Sequence, residues 1–549
     1  SYCLTELEPI AYNGCINDSR CCLRARGRRY FGTEEPIRRM THVTLVRPPL
    51  LVTRNTLQGP ITPPIGLASL AASLINVGHQ VTIVDALGEA PEKVTPLFNN
   101  TILATGLLIP AITERIPQRT DLIGVSAMFS QEWPYVRKLI EAIKLTSPSA
   151  PIIGGGEHFT ALPEFALRTC QDIDYCALGE GEEILIEAAE RVQRRESMSD
   201  VGGLVFRENG KITRNLPRQR IRQIDEIPWP AWDLAPIEQY LDYGLGYGVD
   251  RGRSMPIVAT RGCPYQCTFC SSPLMWTTRW LARKPELVLD EIGTYINKYD
   301  VTNIDFYDLT AIIKKDWIVT FCELILSRGL QFTWQLPSGT RSEAIDDEVA
   351  ALLHAAGCRN LTYAPESGSP SILRRIKKRI DPDRMLHSMR GAVRNRLNIK
   401  TNIMIGFPDE TRREVWETIL YLLKMAWIGV HDTSISMFSP YPGSELFTEL
   451  RERNKIRLND EYFLSLACYT DVTKTSTWAS NLSSGELGFL RLLGLAGFYG
   501  TQYLFRPWRL IGTLVNLLSN RQESRLDKSL RDYIARLYKK QGSPLSFGS

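Results

Sequence analysis

Long apolar runs are missing from this chain of 549 residues. A membrane-spanning helix needs about 18 or more consecutive apolar residues, and no such uncharged stretch occurs. The first residues, SYCLTELEPI, carry acids and a proline where a secretory signal peptide has a basic start and an apolar core. These absences predict a cytoplasmic protein without a transmembrane helix.

A strong excess of charge is also missing, since 65 Lys and Arg face 60 Asp and Glu and leave a net charge of +5. So small an excess gives no reason to expect nucleic-acid binding. Hydrophobic residues at 44% and charged residues at 23% are typical of a folded protein and exclude a largely disordered chain, a collagen-like repeat and a disulfide miniprotein. In a reducing compartment the 12 cysteines are expected to be free thiols or metal ligands.

Residues 1–40 show no periodicity and are interpreted as an N-terminal extension. They contain Cys3, Cys15, Cys21 and Cys22, followed by the basic run RARGRR. An extra metal site is one interpretation, and a loosely docked extension is the other. We favour the second, because the cysteine spacing matches no known metal motif and no His is present.

Residues 41–200 alternate between strand and helix patterns. Strand patterns occur in HVTLV (42–46), QVTIVD (80–85), LIGVSA (122–127), PIIGGG (151–156) and the start of IDYCALGEGEE (173–183). This alternation predicts a doubly wound, flavodoxin-like (Rossmann-type) parallel sheet, whose ligands lie beyond the carboxyl ends of the strands. Those ends are Pro48, Asp85, Ser126, Gly154 to Gly156 and Gly179 to Glu182.

The rest of the chain divides into three further segments. Residues 201–250 are predicted to be a linker with a β-hairpin at Asn209-Gly210. Six strand patterns over 251–443 predict a partial (β/α)6 barrel resembling an open TIM barrel. They lie at IVAT (257), NIDFY (303), QFTWQL (331), NLTYA (360), KTNIMIG (400) and DTSISMF (432). Residues 444–549 are predicted to form a helical C-terminal domain.

One cysteine motif, RGCPYQCTFCSSP, follows the first predicted barrel strand. Cys263, Cys267 and Cys270 have the spacing C-x3-C-x2-C. Three thiolates on one short loop can hold three irons of a [4Fe-4S] cluster and leave the fourth iron open to a substrate. A zinc site is the alternative, but a structural zinc ion needs a fourth Cys or His ligand, and neither residue occurs between Cys270 and Cys322. We therefore favour the cluster.

At this motif the sequence resembles the radical S-adenosylmethionine (SAM) enzymes. The resemblance implies that the open iron binds SAM, and that electron transfer from the cluster cleaves SAM to a 5′-deoxyadenosyl radical. It also implies SAM-binding roles for residues that follow in order. Phe269 would lie against adenine, Asp308 corresponds to an acidic position, Arg341 is a candidate for the SAM carboxylate, Glu366 and Ser367 would contact the ribose, and Gly406 in IMIGFPDET would allow close approach to adenine.

The first domain resembles the cobalamin-binding domain of the cobalamin-dependent (class B) radical SAM enzymes. The matching runs are PPIGLASLAASL, VDA, IIGGGEHFTALPE, LGEGEE and DEIPWPAWDL. The resemblance implies cobalamin contacts at Pro64, Gly66, Asp85, Ser126, Gly154, Gly155, Gly156 and Glu180. The corrinoid motif D-x-H-x-x-G is absent, because none of the 6 His has an Asp two positions before it. The cobalt is therefore expected to lack a His ligand from that motif. A flavin, or no ligand, is the alternative for this domain.

Three functions compete on these motifs. The first is C-methylation, in which the 5′-deoxyadenosyl radical abstracts hydrogen from an unactivated carbon. The resulting substrate radical then takes a methyl group from methylcobalamin. The second uses the same cofactors for oxidative cyclisation or rearrangement without net methylation. The third, a corrinoid-responsive regulator, predicts a broken cysteine triad and a DNA-binding segment, and the sequence shows neither.

Partners are expected to be a small molecule and an external one-electron donor such as flavodoxin or ferredoxin. Trp276, Trp280 and Trp334 hint at an apolar or aromatic substrate. The apolar, arginine-containing segment from Gly485 to Leu518 suggests either a helical cap packed on the barrel or a surface in peripheral contact with a membrane. The cap is the expectation, because amphipathic helices usually bury their apolar stripe in the protein.

Overall fold

A computed structural model describes residues 40–56, 61–341, 344–471, 477–519 and 521–539 of this chain. The four N-terminal cysteines lie outside the described residues, as do residues 1–39 of the extension predicted for 1–40. The described residues belong to a single structural unit. Among them, no helix is both long enough and apolar enough to cross a membrane.

The first region is a sheet flanked by helices. Its strands are β1 (His42–Arg47), β2 (Leu50–Thr53), β3 (Gln80–Asp85), β4 (Val94–Leu97), β5 (Ile102–Thr105), β6 (Leu122–Ser126), β7 (Ile152–Gly155), β8 (Tyr175–Ala177), β9 (Leu204–Glu208) and β10 (Lys211–Arg214). Its helices are α1 (Ile65–Asn76), α2 (Ile109–Glu114), α3 (Trp133–Thr146), α4 (Glu157–Ala161), α5 (Pro163–Thr169) and α6 (Glu182–Arg194).

The main sheet has the strand order β10-β9-β8-β7-β6-β1-β3. Strands β3, β1, β6, β7 and β8 are mutually parallel, so the five strands that were predicted stand in the order 2-1-3-4-5. This order is the flavodoxin-like one, and it confirms the predicted fold of the first region. In such sheets the ligand crevice lies at the switch point, here between the carboxyl ends of β1 and β6.

The predicted hairpin is present, but it belongs to this sheet. Asn209 and Gly210 have φ values of 49° and 77°, which suit a tight two-residue turn between β9 and β10. Strand β9 pairs antiparallel with β8 and covers the edge of a strand only three residues long. The small antiparallel sheet β2-β5-β4 was not predicted, because its strands have only four residues each and Pro96 interrupts the strand pattern of β4.

The second region is the open barrel. Its strands are β11 (Ser254–Ile257), β12 (Thr260–Arg261), β13 (Leu281–Ala282), β14 (Asn303–Phe306), β15 (Thr333–Thr340), β16 (Cys358–Glu366), β17 (Asn398–Ile405) and β18 (Asp432–Met437). Its helices, after α7 (Ile237–Asp242), are α8 (Ser272–Trp276), α9 (Pro285–Tyr299), α10 (Lys315–Ser327), α11 (Asp347–Ala355), α12 (Pro370–Arg375), α13 (Pro382–Arg394) and α14 (Arg412–Ile428).

Six barrel strands form one parallel sheet in the order β11-β14-β15-β16-β17-β18. This sheet confirms the predicted partial barrel. Helix α14 shows how local sequence sets an element: Thr411 and Glu414 form a capping box at its start, and Gly429 at φ 101° ends it. Parallel strands bring their carboxyl ends to one edge, so the loops after them meet there.

The C-terminal segment is helical, as predicted. Its helices are α15 (Glu445–Glu452), α16 (Asp460–Ser465), α17 (Ser484–Phe505), α18 (Pro507–Leu518) and α19 (Arg525–Lys539). Helix α17 buries Leu487, Leu490 and Phe498 against α14 and β18. At the start of α19, the Arg525 guanidinium donates to the carbonyl of Gly248 at 2.9 Å, which ties the helix to the amino-terminal end of the barrel.

Candidate functional site

Three cysteines lie on the loop between β12 and β13. These two strands pair antiparallel, so the loop begins and ends at one place on the barrel. Gly262 begins it with φ 87°, and a Cβ there would stand 2.3 Å from the carbonyl oxygen of Arg279. Cys263, Cys267 and Cys270 are free and half-buried. The sequence therefore places three unpaired thiols on one constrained loop.

Asp308 holds the chain that enters this loop. Its carboxylate accepts hydrogen bonds from the backbone amides of Thr260 and, at 3.3 Å, Ala259. It is buried, and burial raises its pKa to about 6 against the opposing effect of these bonds. The resemblance implied a SAM contact for Asp308. The structure instead uses its carboxylate to position the segment before Cys263.

Charged side chains from two other strand ends approach Cys267. Glu366, at the carboxyl end of β16 with φ 64°, pairs with Lys378 at 3.1 Å. The Arg341 guanidinium stacks 3.7 Å from the ring centre of Tyr265, within the cysteine loop. Burial raises the pKa of the Cys267 thiol, while Lys378 and Arg341 act to lower it. Arg341 and Glu366 thus lie near Cys267, whereas Lys378 was not predicted.

Ser367 stabilises a turn of the backbone. It is fully buried, and its hydroxyl lies 2.9 Å from the hydroxyl of Thr418 on α14 and accepts the amide of Ser369. These bonds fix the turn between β16 and α12. The Ser367 hydroxyl therefore has a structural role, and its predicted role in SAM binding stays a prediction.

An aromatic and glycine cluster borders the loop on the side of β17. The rings of Phe269 and Phe407 lie 6.0 Å apart, and Gly406 adopts φ 87°. Glu410 fixes this turn by accepting the amides of Gly406 and Phe407 at 2.5 and 3.0 Å. Burial raises the pKa of Glu410 to about 7. Phe269 and Gly406 were predicted; Glu410 was not, since an acid four residues after a glycine is a weak signal.

The carboxyl edge of the first sheet offers small residues and open space. Pro64 precedes α1, and a Cβ added at Gly66 or Gly155 would meet no atom within 4 Å. Gly156 has φ 102°, and its added Cβ would stand 2.8 Å from the carbonyl oxygen of Ala127. Ser126 ends β6 and is half-buried. A Cβ at Gly154 would lie 2.5 Å from the ring of Phe159, so there is no free space for a ligand beside Gly154.

A buried polar triad stands where β1 and β3 end. The hydroxyl of Tyr240 donates to Asp85 at 2.7 Å, and Arg47 donates to Tyr240 at 2.9 Å. Arg47 also lies 3.6 Å from Asp85, whose Oδ1 has no hydrogen-bond partner. Buried carboxylate oxygens in proteins normally accept a hydrogen bond. The Asp85 oxygen therefore favours a ligand at the crevice that supplies the missing hydrogen-bond donor. Asp85 was predicted; Arg47 and Tyr240 were not, because each stands alone in the sequence.

The chain is bonded to this sheet edge on both sides of the three cysteines. Arg261, two residues before Cys263, pairs with Glu180 at 3.0 Å and Glu182 at 2.6 Å. The hydroxyl of Ser271, next to Cys270, donates to Glu157 at the start of α4. Glu180 also accepts a hydrogen bond from Arg220 at 3.1 Å, and its predicted contact with cobalamin stays a prediction. The two carboxyl edges therefore face each other across one junction.

Of the three tryptophans that pointed to an apolar or aromatic substrate, Trp334 needs correction. Trp334 is fully buried in the barrel core against Phe306 and Phe321, so it cannot contact a substrate. Trp276 lies under the guanidinium groups of Arg220 and Arg261, 5.3 and 5.9 Å from its ring centre, and belongs to the junction. Trp280 donates its ring N–H to the carbonyl of Thr310.

The donor sets fit the groups that the sequence suggested. Three free thiols with nearby cations suit an anionic iron–sulfur cluster, although the described residues contain no group of three or more His, Cys, Asp or Glu arranged around a common metal position. His158 is fully buried, stacks 4.8 Å from Trp133 and forms a hydrogen bond with the Ser130 hydroxyl through Nδ1, and burial lowers its pKa to about 3. The open space at Gly155 and Gly66 suits a bulky ligand at the sheet edge.

Comparison with known proteins agrees with both regions. The profile of the Radical SAM superfamily matches residues 257–422, and that of the B12 binding domain matches residues 56–189. An uncharacterized methyltransferase of Pyrococcus horikoshii is 31% identical over 405 residues, which are 74% of this chain and 82% of that protein. The cytidylyl-2-hydroxyethylphosphonate methyltransferase of Streptomyces wedmorensis is 26% identical over 445 residues, or 75% of this chain and 82% of that protein.

Among solved structures, the radical S-adenosylmethionine methyltransferase TsrM from Kitasatospora setae, with cobalamin and a [4Fe-4S] cluster bound, has a similar fold. The TM-score is 0.59 at 19% identity, and the match covers 76% of this chain and 78% of that chain. The likeness extends over both sheets and not over the barrel alone.

Proposed function

The chain belongs to the cobalamin-dependent radical SAM enzymes, in which a B12-binding domain precedes the radical SAM domain, and we propose that it is a C-methyltransferase acting on an unactivated carbon. When bound, the cluster supplies the electron that cleaves SAM, and cobalamin supplies the methyl group. The rest of the proposal concerns what this chain's own residues do.

The cysteine loop would hold the cluster, and the barrel edge would hold SAM. Cys263, Cys267 and Cys270 supply the thiolates, and metal binding deprotonates them despite the raised pKa of the Cys267 thiol. Arg341 offers a cation beside the loop for a carboxylate, and Glu366 offers an acceptor for hydroxyl groups.

The sheet edge would hold the corrinoid by shape. Gly155 and Gly66 leave space, and the unpartnered oxygen of Asp85 can accept a hydrogen bond from an amide group. The missing D-x-H-x-x-G motif and the full burial of His158 support a cobalt that takes no His ligand from this domain.

One observation carries the proposal: the chain is bonded to the carboxyl edge of the first sheet on both sides of the three cysteines. Arg261 with Glu180 and Glu182, and Ser271 with Glu157, fix that contact. A methyl transfer between two cofactors and a substrate needs all three held in one water-excluded place, and binding in a fixed geometry can lower a barrier by about 7 to 11 kcal/mol. A junction of two facing ligand edges supplies that place.

The test begins with SAM cleavage under anaerobic conditions with a chemical reductant. Wild-type protein with reconstituted iron should show the brown cluster absorbance and release 5′-deoxyadenosine. The variant Cys263→Ala/Cys267→Ala/Cys270→Ala should lose both, whereas Cys468→Ala, a half-buried cysteine elsewhere, should keep both. Cleavage that survives in the triple variant would contradict the assignment of these cysteines.

Product mass then separates methylation from cyclisation or rearrangement. Incubation with SAM carrying a labelled methyl group and with candidate apolar or aromatic substrates should give a product heavier by one CH2 that contains the label. A product without the label would replace methylation by the second function. We also propose that a small flavodoxin or ferredoxin supplies the electrons in place of the chemical reductant.

A further inference from the structure

Helix α18 leaves an apolar face uncovered. From Pro507 to Leu518 none of its side chains is buried. Trp508, Ile511 and Leu518 are 63%, 63% and 87% exposed, and Leu514 and Val515 are more than half exposed beside them. These positions recur every three or four residues, so they form one stripe along the helix. The expected packing of this stripe against the barrel does not occur.

The uncovered surface continues onto neighbouring helices. On α14 the exposed positions include Trp416, Leu420 and Trp427, again at helical spacing. Phe505, at the end of α17, meets the ring of Trp427 edge-on at 4.2 Å and is itself half exposed. A patch that spans three helices exceeds the scattered apolar residues of an ordinary surface and marks an interaction site. We call it the apolar face: the exposed apolar residues of α14, the end of α17 and α18.

The polar side of α18 explains why this face stays outward. Arg509 donates to the carbonyl of Gly429 at 2.9 Å, and Arg506 donates to that of Trp427 at 3.0 Å. Both arginines thus satisfy carbonyl groups at the carboxyl end of α14. Because α18 is docked through its polar side, its apolar stripe is presented rigidly to the outside.

Basic residues predominate on and around the apolar face, with one acid, Glu417 of α14, paired to Arg413 at 3.2 Å. Residues 488–522 contain four arginines and no Asp or Glu. On α14, Arg413 and Lys424 share the helix face of Trp416 and Trp427, and the Arg413 side chain is 88% exposed. Tryptophan interleaved with basic residues suits the interface of a bilayer, where indole rings sit at headgroup depth and cations meet anionic lipid.

We propose that the apolar face binds the surface of an anionic lipid bilayer. Trp508, Ile511 and Leu518 would insert into the boundary between headgroups and acyl chains, and Lys424 and Arg521 would contact lipid phosphates. The face lies on the helices that also border the candidate site, since Leu487 of α17 would lie 3.1 Å from a Cβ at Gly406. Docking would therefore hold the barrel at the membrane surface.

The experiment is vesicle flotation of the full chain. Vesicles of phosphatidylcholine with phosphatidylglycerol should carry the protein upward, and those of phosphatidylcholine alone should carry less of it. The variant Trp508→Ser/Ile511→Ser/Leu518→Ser should bind about tenfold more weakly or worse, because burial of apolar area drives insertion. The matched control is Leu145→Ser/Leu216→Ser, which removes two leucines 85% and 84% exposed elsewhere and should bind as wild type does.

A charge variant gives a second readout. Lys424→Glu/Arg521→Glu should weaken binding to the anionic vesicles about tenfold or more and leave the weak binding to neutral vesicles unchanged. The thermal unfolding midpoint of each variant should match that of wild type, since the substituted side chains are exposed.

Two results would overturn the proposal. The first is wild-type protein that floats with neither kind of vesicle. The second is a serine variant that binds the anionic vesicles as tightly as wild type does. If light scattering instead shows a wild-type dimer that the serine variant converts to a monomer, without vesicle binding, the apolar face is an interface between two copies. Vesicle binding needs no cofactor, so its failure would leave the proposed chemistry standing.

Discussion

The two carboxyl edges at the junction are built in opposite ways. The barrel edge presents charged groups and thiols, with Glu366 paired to Lys378 and Arg341 stacked over the cysteine loop. The edge of the first sheet presents glycine and open space at Gly155. The difference indicates that the barrel edge would hold its ligands by donors and charge, whereas the sheet edge would hold its ligand mainly by shape.

The junction between the edges should produce the largest effect on stability. Replacing Arg261 by Ala would leave Glu180 and Glu182 buried together with fewer cations, and removal of one partner from a buried pair costs about 3 to 5 kcal/mol. Denaturant unfolding of the Arg261→Ala variant should show a loss of about 3 kcal/mol, together with a loss of SAM cleavage.

The matched control is Arg253→Ala. Arg253 also pairs with two acids, Glu238 and Asp242, but those carboxylates are more than half exposed. Exposed pairs contribute about 0 to 1 kcal/mol, so this variant should unfold close to wild type. Equal losses of unfolding free energy in the two variants would show that the ion pairs at the junction stabilise the fold no more than exposed ion pairs do.

A pH dependence should come from the barrel edge. Burial raises the pKa of Asp308 from 3.8 to about 6, so the folded state holds a proton that the unfolded state has released. The contribution of Asp308 to stability is therefore fully present below pH 3.8 and is lost as pH rises toward about 6. The difference of two units sets a ceiling of about 3 kcal/mol.

The variant Asp308→Asn tests this. Its amide oxygen can still accept the amide of Thr260, but it cannot ionise. Relative to wild type, the variant should gain stability as pH rises through 4 to 6, measured by denaturant unfolding at each pH. A constant difference over that range would mean that Asp308 titrates as an ordinary exposed acid does.

Much of the fold and part of the candidate site could be predicted from the sequence. The alternation of strand and helix patterns predicted both sheets and the order of their strands along the chain, because parallel sheets read as repeated apolar runs. The spacing of Cys263, Cys267 and Cys270 predicted the loop. Arg47, Tyr240 and Lys378 were missed, since each becomes part of the site only through contacts distant in sequence.

Some predicted site residues also have structural bonds that the sequence did not reveal. Asp308, Ser367 and Glu180 are polar residues at strand ends, and each bonds to another part of the protein, while its predicted contact with a cofactor stays a prediction. Sequence patterns cannot distinguish a carboxylate that faces a ligand from one that caps the backbone. That distinction depends on which loop lies nearest, and only the packed structure decides it.

On the sheet edge, strain at Gly156 should give a smaller loss. Its φ of 102° and the Ala127 carbonyl 2.8 Å from an added Cβ both oppose a side chain. Residues forced into such backbone regions cost about 1 to 3 kcal/mol. Gly156→Ala should lower the unfolding free energy by that amount in denaturant titration, and an unchanged value would mean that the turn adjusts freely.

The smallest effect on stability should come from the adjacent glycine, and it sharpens the comparison most. An added Cβ at Gly155 meets nothing within 4 Å, and its φ is not in the left-handed region, so Gly155→Ala should unfold as wild type does. If the edge binds a corrinoid by shape, the same methyl group should reduce the hydroxocobalamin that stays with the protein through gel filtration, measured by its visible absorbance. Retention equal to wild type would show that the space at Gly155 is not where the corrinoid lies. Loss of stability together with retention would show instead that the space is filled by the protein, and the contrast between the two edges would then rest on Gly66 alone.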